Sequence, residues 1–288
     1  MEKGKFTVKD FNKLYPDDNA CLDEIFKNRY SHLKTCPSCN KETNFYKVKS
    51  RKVYACQYCG YQISPLANTI FHKSPTSLKD WFYSIYLFSV SKNGVSAKEL
   101  ERQLGVTYKC AWRIAKQIRQ LFTQNKDLLS DIIEIDETYI GGKHSGKRGR
   151  GSENKTAVMG LAQRKGNLKA KVVENTNSNT VKSIIRDNVE IESDIITDEY
   201  RSYHIVKRMG FNHQTVNHVK EQWADGIIHV NTLEGFWSQL KRSINGTYHC
   251  VSPKYLQSYV DEFVYRYNYR LSSFPIFLNL VLSVGKQI

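Results

Sequence analysis

The sequence has no run that approaches the ~18 consecutive apolar residues of a membrane-spanning helix. Its first residues, MEKGKFTVKDFNKLYP, contain no apolar core of the kind found in signal peptides. These absences argue against a membrane-bound or exported protein, and we expect a cytoplasmic one. The chain also shows no internal repeat and no low-complexity segment between its parts.

Acidic residues are scarce relative to basic ones. The 288 residues contain 28 Asp and Glu against 43 Lys and Arg, a formal net charge of +15. Hydrophobic residues at 40% and charged residues at 25% are ordinary for a globular protein, so the charge does not indicate disorder. A soluble protein this basic usually binds a polyanion, most often nucleic acid. A generically basic protein is the alternative that charge alone leaves open.

Cysteine is sparse, and four of the seven cysteines fall into two close pairs. Cys36 and Cys39 form one C-x2-C motif, and Cys56 and Cys59 form a second after sixteen intervening residues. This spacing is typical of zinc sites, in which each tight turn supplies two thiolates to a tetrahedron. Because four protein ligands leave no open position, we expect one structural Zn²⁺ ion in a zinc ribbon over residues 33–64. Zinc ribbons bind DNA, RNA or protein, so this motif does not define the function.

Helical periodicity dominates residues 1–32, a helical lead interrupted at Pro16, and residues 76–125. The second region contains SAKELERQLGVTYKCAWRIAKQIRQLF, in which Ser96 is placed to cap one helix and Gly105 to form a short turn before the next. This pattern predicts a helix-turn-helix, with an ordinary helical hairpin as the alternative. The predicted DNA-binding residues of its second helix are Lys109, Arg113 and Lys116.

Strand patterns begin near residue 130. The segments IIEIDETYI, TAVMGLAQ, LKAKVVE and DIITDEY indicate strands, SNTVKSIIRDNV indicates a helix, and the tail from residue 231 is largely helical. This order predicts an α+β domain over residues 130–280, with a mixed sheet flanked by helices. The glycine-rich segment between the first two strands carries cations that we expect to lie along phosphates: Lys143, Lys147, Arg148 and Arg150.

Three acidic residues stand out in this domain. Asp136 interrupts an isoleucine-rich strand, Asp198 ends another apolar run, and Glu234 lies on a helix that carries Lys241 two turns later. A carboxylate among buried neighbours is costly unless a cation pairs with it. Oxygen ligands suit Mg²⁺ or Mn²⁺, and two such ions ~3.5–4 Å apart can bind the attacking and leaving oxygens of phosphoryl transfer. We expect Asp136 to bridge two ions, and Asp198 and Glu234 to hold one each.

Together these motifs carry a family resemblance over almost the whole chain, through CPSC, CQYC, EIDETYIGGK, TDEYRSY, HVNTLEGFWSQLKRSINGTYHCVSP and YVDEFVYRYNYR. The sequence resembles the DDE transposases of bacterial insertion sequences, in the zinc-ribbon, ISXO-type group related to Merlin transposons. The resemblance implies an RNase H-like catalytic domain behind the ribbon and the helical DNA-binding region. The 35 residues between Asp198 and Glu234, and a basic residue seven positions later, match that pattern.

The resemblance also implies an activity. Such an enzyme binds the terminal inverted repeats of its element, cleaves DNA and joins the 3′-OH ends to target DNA, acting near the nucleoid as a homodimer or larger assembly. Lys241 and Arg242 would contact DNA phosphates. Some relatives use Asn as the third catalytic residue, which makes Asn231 an alternative to Glu234. We prefer Glu234, because three carboxylates better offset two dications, and we expect Asn231 to support the site or to cap the helix. A non-catalytic DNA-binding regulator and another RNase H-like nuclease, such as a junction resolvase, are the rival functions.

Overall fold

The computed structural model describes residues 5–141, 155–216 and 230–285. The chain divides into two compact units, of which the first comprises Met1–Leu121 with Leu271–Ile288 and the second Phe122–Arg270. The sequence placed residues up to 280 in the second domain, whereas the last helix packs in the first unit.

The predicted helices and strands occur in the predicted order, and the structure adds three short elements that the patterns did not indicate: strands at Gln62–Ile63 and Asn212–Val216 and a helix at Ile205–Arg208. In the first unit they are α1 (Val8–Leu14), α2 (Asp18–Tyr30), β1 (Phe45–Lys47), β2 (Tyr54–Cys56), β3 (Gln62–Ile63), α3 (Leu78–Val90), α4 (Ala97–Leu104) and α5 (Tyr108–Arg119). In the second they are β4 (Ile132–Ile140), β5 (Thr156–Gln163), β6 (Leu168–Val173), α6 (Ser178–Asn188), β7 (Asp194–Asp198), α7 (Ile205–Arg208), β8 (Asn212–Val216), α8 (Asn231–Ser243) and α9 (Pro253–Asn268). The final helix, α10 (Ile276–Val284), belongs to the first unit.

Aromatic packing explains why α10 lies in the first unit. The ring of Phe277 stacks on Phe6 at 4.6 Å and meets Phe11 edge-on at 5.9 Å between ring centroids. Phe11 and Phe277 are almost fully buried. Such ring pairs add stability beyond the apolar area that they bury.

The zinc-ribbon region is a three-stranded antiparallel sheet, β1-β2-β3, covered by α2. Phe26 of α2 stacks on Tyr54 of β2 with 3.8 Å between ring centroids. Asp23 of the same helix accepts hydrogen bonds from the Tyr54 hydroxyl and from Lys47, the latter at 2.9 Å. The helix before the cysteines is therefore part of the ribbon's fold.

Helices α4 and α5, joined by a short turn, follow the predicted helix-turn-helix pattern. Ser96 caps α4 by accepting the backbone N–H of Glu99. Gly105 ends the helix with φ of 64°, a left-handed conformation that glycine adopts without steric cost. Thr107 then caps α5, so the turn is three residues long and each helix end is satisfied.

The second unit is built on a five-stranded mixed sheet with strand order β6-β5-β4-β7-β8. Strands β4, β5 and β6 are antiparallel neighbours, whereas β7 and β8 run parallel to β4. If the five strands are numbered from 1 to 5 in order of sequence, their order in the sheet is 3-2-1-4-5. The second of them, β5, is antiparallel to the other four. The arrangement confirms the RNase H-like expectation of a mixed sheet flanked by helices.

Strand alternation divides the core between the two faces of the sheet. One face, with residues such as Val158 and Ala170, packs against α8 and α9. The other face, with residues such as Ile133 and Ile135, packs against α6 and the segment around α7. The even-numbered residues of β4 therefore point towards α8.

Candidate functional site

Two acidic side chains of β4 lie on the face that α8 covers. Glu134 and Asp136 are two residues apart on one strand, so both point to the same side. Asp136 is half-buried and lies directly across from Gly160 of β5. The intervening Ile135 points into the opposite core and is fully buried.

The parallel pairing of β4 with β7 places Asp136 beside Asp198, the last residue of β7. The ladder pairs Ile132 with Asp194 and Glu134 with Ile196, and two further residues along each strand lead to Asp136 and Asp198. Neighbouring strands lie about 4.8 Å apart. The first oxygen of the Asp198 carboxylate accepts the backbone N–H of Tyr200 at 3.0 Å.

Acidic side chains are concentrated around Asp136. Burial first, and then the charges of Glu137 and Asp198, raise the pKa of Asp136 to about 7. Glu137 points to the other face, where its carboxylate accepts the Tyr203 hydroxyl at 2.6 Å. Neighbouring carboxylates disfavour each other's ionised forms. A cation bound between them is stabilised, because it offsets this repulsion.

Helix α8 contacts Asp136 through Trp237. The indole Nε1–H donates to Oδ2 of Asp136 at 3.0 Å. Lys241, four residues further along α8, lies near the same carboxylate. Partial burial lowers the pKa of Lys241, and the attraction of Asp136 opposes that shift. The structure thus brings together Asp136, Asp198 and Lys241 from the predicted site.

Glu134 anchors the start of α8, and sequence reasoning missed this role. Its carboxylate is fully buried and accepts the backbone N–H of Thr232 at 3.0 Å and the Thr232 hydroxyl at 2.9 Å. The same carboxylate also accepts a hydrogen bond from Nε of Arg164 at 3.2 Å. The only sequence signal was an acidic residue within an apolar strand.

The predicted cap by Asn231 is wrong. The N-cap of α8 is Val230, no side chain of the helix caps it, and Asn231 is the first helical residue. Glu134 supplies the acceptor from β4 instead, so the Asn231 side chain is not needed for this purpose. Asn231 and Glu234 are both exposed, one turn apart on α8.

Among the described residues, the carboxylates of Asp136, Asp198 and Glu234 do not gather within 4.8 Å of one another. Two ions ~3.5–4 Å apart do not require this, because ligands of different ions need not meet. Glu234 precedes Trp237 by one helical turn and Lys241 follows it by one, so both flank the residue that contacts Asp136. The donor set consists of hard oxygen atoms, which fits Mg²⁺ or Mn²⁺.

The four cysteines form a compact cluster that could hold zinc. Their sulfur atoms lie within 4.8 Å of one another, with 3.6 Å between Cys36 and Cys59 and 3.9 Å between Cys39 and Cys56. A tetrahedron with Zn–S bonds of ~2.3 Å has edges of about 3.8 Å. Both turns share one geometry, with positive φ at Asn40 and Gly60 directly after the second cysteine of each pair.

The predicted DNA-binding residues differ in their surroundings. Lys109 and Lys116 are exposed on α5, whereas Arg113 is half-buried, donates to the Ser74 hydroxyl at 2.9 Å and lies over the Trp81 ring. Arg242 is exposed on α8. The predicted contacts of the glycine-rich segment lie outside the described residues: Lys143, Lys147, Arg148 and Arg150.

Across the part of the chain that the structure describes, every helix is too short or too polar to span a membrane.

Two family models match the chain. A transposase zinc-ribbon domain matches residues 16–62, and an ISXO2-like transposase domain matches residues 128–268. The first match includes α2, in agreement with its packing on the ribbon. The second runs from the start of the sheet to the end of α9 and contains both aspartates and Glu234.

Two relatives of the chain also bear names that refer to transposable elements or transposases. An uncharacterized protein in transposable element ISH50 of Halobacterium salinarum is 25% identical over 275 residues, which cover 88% of this chain and 92% of the relative. An uncharacterized transposase-like protein of Haemophilus influenzae is 30% identical over 97 residues, 34% of this chain and 77% of the relative. The crystal structure of a pre-cleavage Mos1 transpososome overlaps 72% of this chain and 79% of its own at 13% identity, with a TM-score of 0.27, too low to bear on the fold. This chain belongs to the ISXO2-like transposase family.

Proposed function

We propose that this chain is a DNA transposase that binds the terminal inverted repeats of an insertion sequence, cleaves DNA and joins the 3′-OH ends to target DNA. One observation carries the proposal. In a chain of a transposase family, Asp136 of β4 lies beside Asp198 at the end of the adjacent parallel strand β7, and α8, the helix that also carries Glu234, brings Lys241 near Asp136.

Asp136, Asp198 and Glu234 would hold two Mg²⁺ or Mn²⁺ ions, with Asp136 shared between them. The raised pKa of Asp136 is consistent with this assignment, because burial first, and then the charges of Glu137 and Asp198, disfavour an ionised carboxylate that a bound cation would stabilise. Bound ions of this kind activate an attacking oxygen and stabilise a leaving one. Asn231 stays an alternative to Glu234 as third ligand, since both side chains are exposed at the start of α8.

The proposed chemistry consists of two phosphoryl transfers. In the first, a water oxygen attacks the phosphorus at the transposon end and O3′ leaves, giving a 3′-OH and a 5′-phosphate. In the second, that 3′ oxygen attacks a target phosphodiester and displaces the target's own O3′, so one bond forms as another breaks. Lys241 would bind a non-bridging oxygen of the reacting phosphate and offset its charge.

DNA recognition is assigned to the first unit and to the basic segments of the second. Lys109 and Lys116 are exposed on one side of α5, as phosphate contacts require. Arg113 stays a predicted contact, although its guanidinium donates to Ser74. Arg242 and the cations of the glycine-rich segment extend the proposed surface, and a homodimer or larger assembly would hold two DNA ends.

The test is strand transfer with Mg²⁺ on DNA ends taken from the sequence flanking the gene. We expect Asp136→Asn and Asp198→Asn to abolish cleavage and joining while DNA binding is kept. Glu199→Gln is the matched control, because Glu199 is the exposed neighbour of Asp198. Full activity of either aspartate variant would refute the assignment.

The rival functions give different outcomes in the same assay. A regulator would bind the ends without cutting them, and a resolvase would cut branched DNA without joining anything. Comparison of Glu234→Gln with Asn231→Ala identifies the third ligand, because only the variant that removes it should eliminate activity.

A further inference from the structure

The carboxylate of Asp136 is held by a hydrogen bond from α8. This carboxylate is half-buried beside the charges of two other acids, so its position must be fixed against their repulsion. A side chain that donates to it is Trp237, whose indole N–H lies 3.0 Å from Oδ2. The indole nitrogen can only donate, so it holds this oxygen without competing for a cation.

The indole itself is held rigidly. Trp237 is only 4% exposed and packs against Phe236, with 5.1 Å between ring centroids. On its other side it lies against Gly160, the residue directly across from Asp136. A Cβ atom at Gly160 would come within 2.6 Å of Cζ2 of Trp237, so only glycine leaves room for the ring in this position.

The same side chain fixes the position of α8. Glu234 lies three residues before Trp237 and Lys241 four residues after it, so all three are neighbours on the helix surface. The contact with Asp136 therefore sets how close the helical carboxylate and the lysine come to the first aspartate.

We propose that Trp237 is a positioning residue that anchors one oxygen of Asp136 and sets its orientation towards the catalytic metal ions. A carboxylate offers about four lone-pair sites, so one hydrogen bond at Oδ2 leaves the rest for cations. The inference rests on the proposed function, in which Asp136 is a metal ligand. Trp237 touches neither DNA nor metal in this account and acts only through Asp136.

The first measurement uses the indole N–H as a reporter. The chain contains four tryptophans, so its ¹H–¹⁵N spectrum should show four indole signals. We expect addition of Mg²⁺ to the full chain to shift the signal that is absent from Trp237→Phe, and Asp136→Asn to eliminate that shift. If the Trp237→Phe protein does not fold, Trp→Phe variants at the other three positions assign the signal by elimination.

The second measurement separates positioning from folding. Trp237→Phe keeps a buried ring and removes the N–H, so we expect the Mg²⁺ concentration for half-maximal strand transfer to rise about 10- to 100-fold. The rate at saturating Mg²⁺ should stay close to that of the unaltered chain. Tyr269→Phe is the control, because it also removes one polar hydrogen from an aromatic side chain, at an exposed position after α9, and it should change neither quantity.

Two results would overturn the inference: an indole signal of Trp237 that does not respond to Mg²⁺, or an unchanged Mg²⁺ requirement in a folded Trp237→Phe protein. Failure of the proposed function looks different. An unaltered chain without strand transfer, whose Trp237 signal still responds to Mg²⁺ through Asp136, would refute the reaction and support the positioning role.

Discussion

At the residue scale, the side chains of β4 divide between two environments. Glu134 and Asp136 face α8, where they accept hydrogen bonds from Thr232 and Trp237. Glu137 faces the other way and accepts the hydroxyl of Tyr203. Strand alternation alone creates this division, so three acids within four residues serve different elements.

His213 supports the end of β7 next to Asp198. Its Nε2 lies 2.8 Å from the hydroxyl of Thr197, which itself donates to the carbonyl of Asp198. The hydroxyl has one hydrogen, so Nε2 must carry a proton and donate to it. Burial, followed by the charges of Lys207 and His204, lowers the pKa of His213 to about 4.

This shift predicts a pH dependence of stability. The folded-state pKa lies below the ordinary value of 6.5, so the neutral ring stabilises the fold above that pH and the contribution is lost as pH falls towards 4. We expect the free energy of unfolding to fall by about 2 kcal/mol between pH 7 and pH 5 on account of His213. Urea unfolding of His213→Gln should lack this component, whereas His32→Gln, at an exposed histidine, should keep it.

Gly160 is predicted to be sensitive because of the ring beside it. Gly160→Ala places a methyl group against the Trp237 indole and should cost about 1–3 kcal/mol of stability, as overpacking does. Gly235→Ala is the control, because nothing lies within 4 Å of its Cβ position on α8. That helical site should gain about 0.5–1 kcal/mol. Equal thermal shifts for the two variants would contradict the account of Trp237 packing.

At the element scale, α8 depends on β4 for its start. No residue of the helix caps its first turn, and the buried carboxylate of Glu134 takes that place. A carboxylate near a helix N-terminus is also favoured by the helix dipole. The helix that carries Glu234 is thus tied to the strand that carries Asp136 at two points.

Loss of Glu134 should therefore weaken the docking of α8. Glu134→Ala leaves Arg164 without this acceptor and the Thr232 N–H without its partner, so we expect a loss of about 3–5 kcal/mol. Denaturant unfolding measures this change, with Glu190→Ala at an exposed position as control. A loss below that of the control variant would show that α8 is held by its apolar face alone.

At the scale of the whole molecule, the sequence predicted local features well and remote ones poorly. The cysteine quartet and four of the five strands of the larger sheet follow from spacing and periodicity, as do the strand positions of Asp136 and Asp198. The anchoring of α8 joins residues 98 and 101 positions apart, and no local pattern reports such a contact. The placement of α10 was missed for the same reason, because Phe277 packs on rings near the other end of the chain.

The two units should respond differently to removal of zinc. The ribbon has a three-stranded sheet of very short strands, so its fold should depend on the four thiolates and their ion. We expect a zinc chelator, or Cys56→Ser, to remove hydrogen-exchange protection from residues 33–64 and leave β4 and β5 protected. Zinc should restore the protection in the unaltered chain, and simultaneous loss in both units would contradict this division.

The central claim is that Asp136 and Asp198 hold the catalytic ions together with a residue of α8. The most direct measurement is anomalous diffraction from crystals of the chain bound to its DNA ends and soaked in Mn²⁺. We expect manganese within about 2.2 Å of oxygens from both aspartates, with Glu234 or Asn231 as a further ligand. Manganese bound elsewhere, or an aspartate pair that binds none, would contradict it.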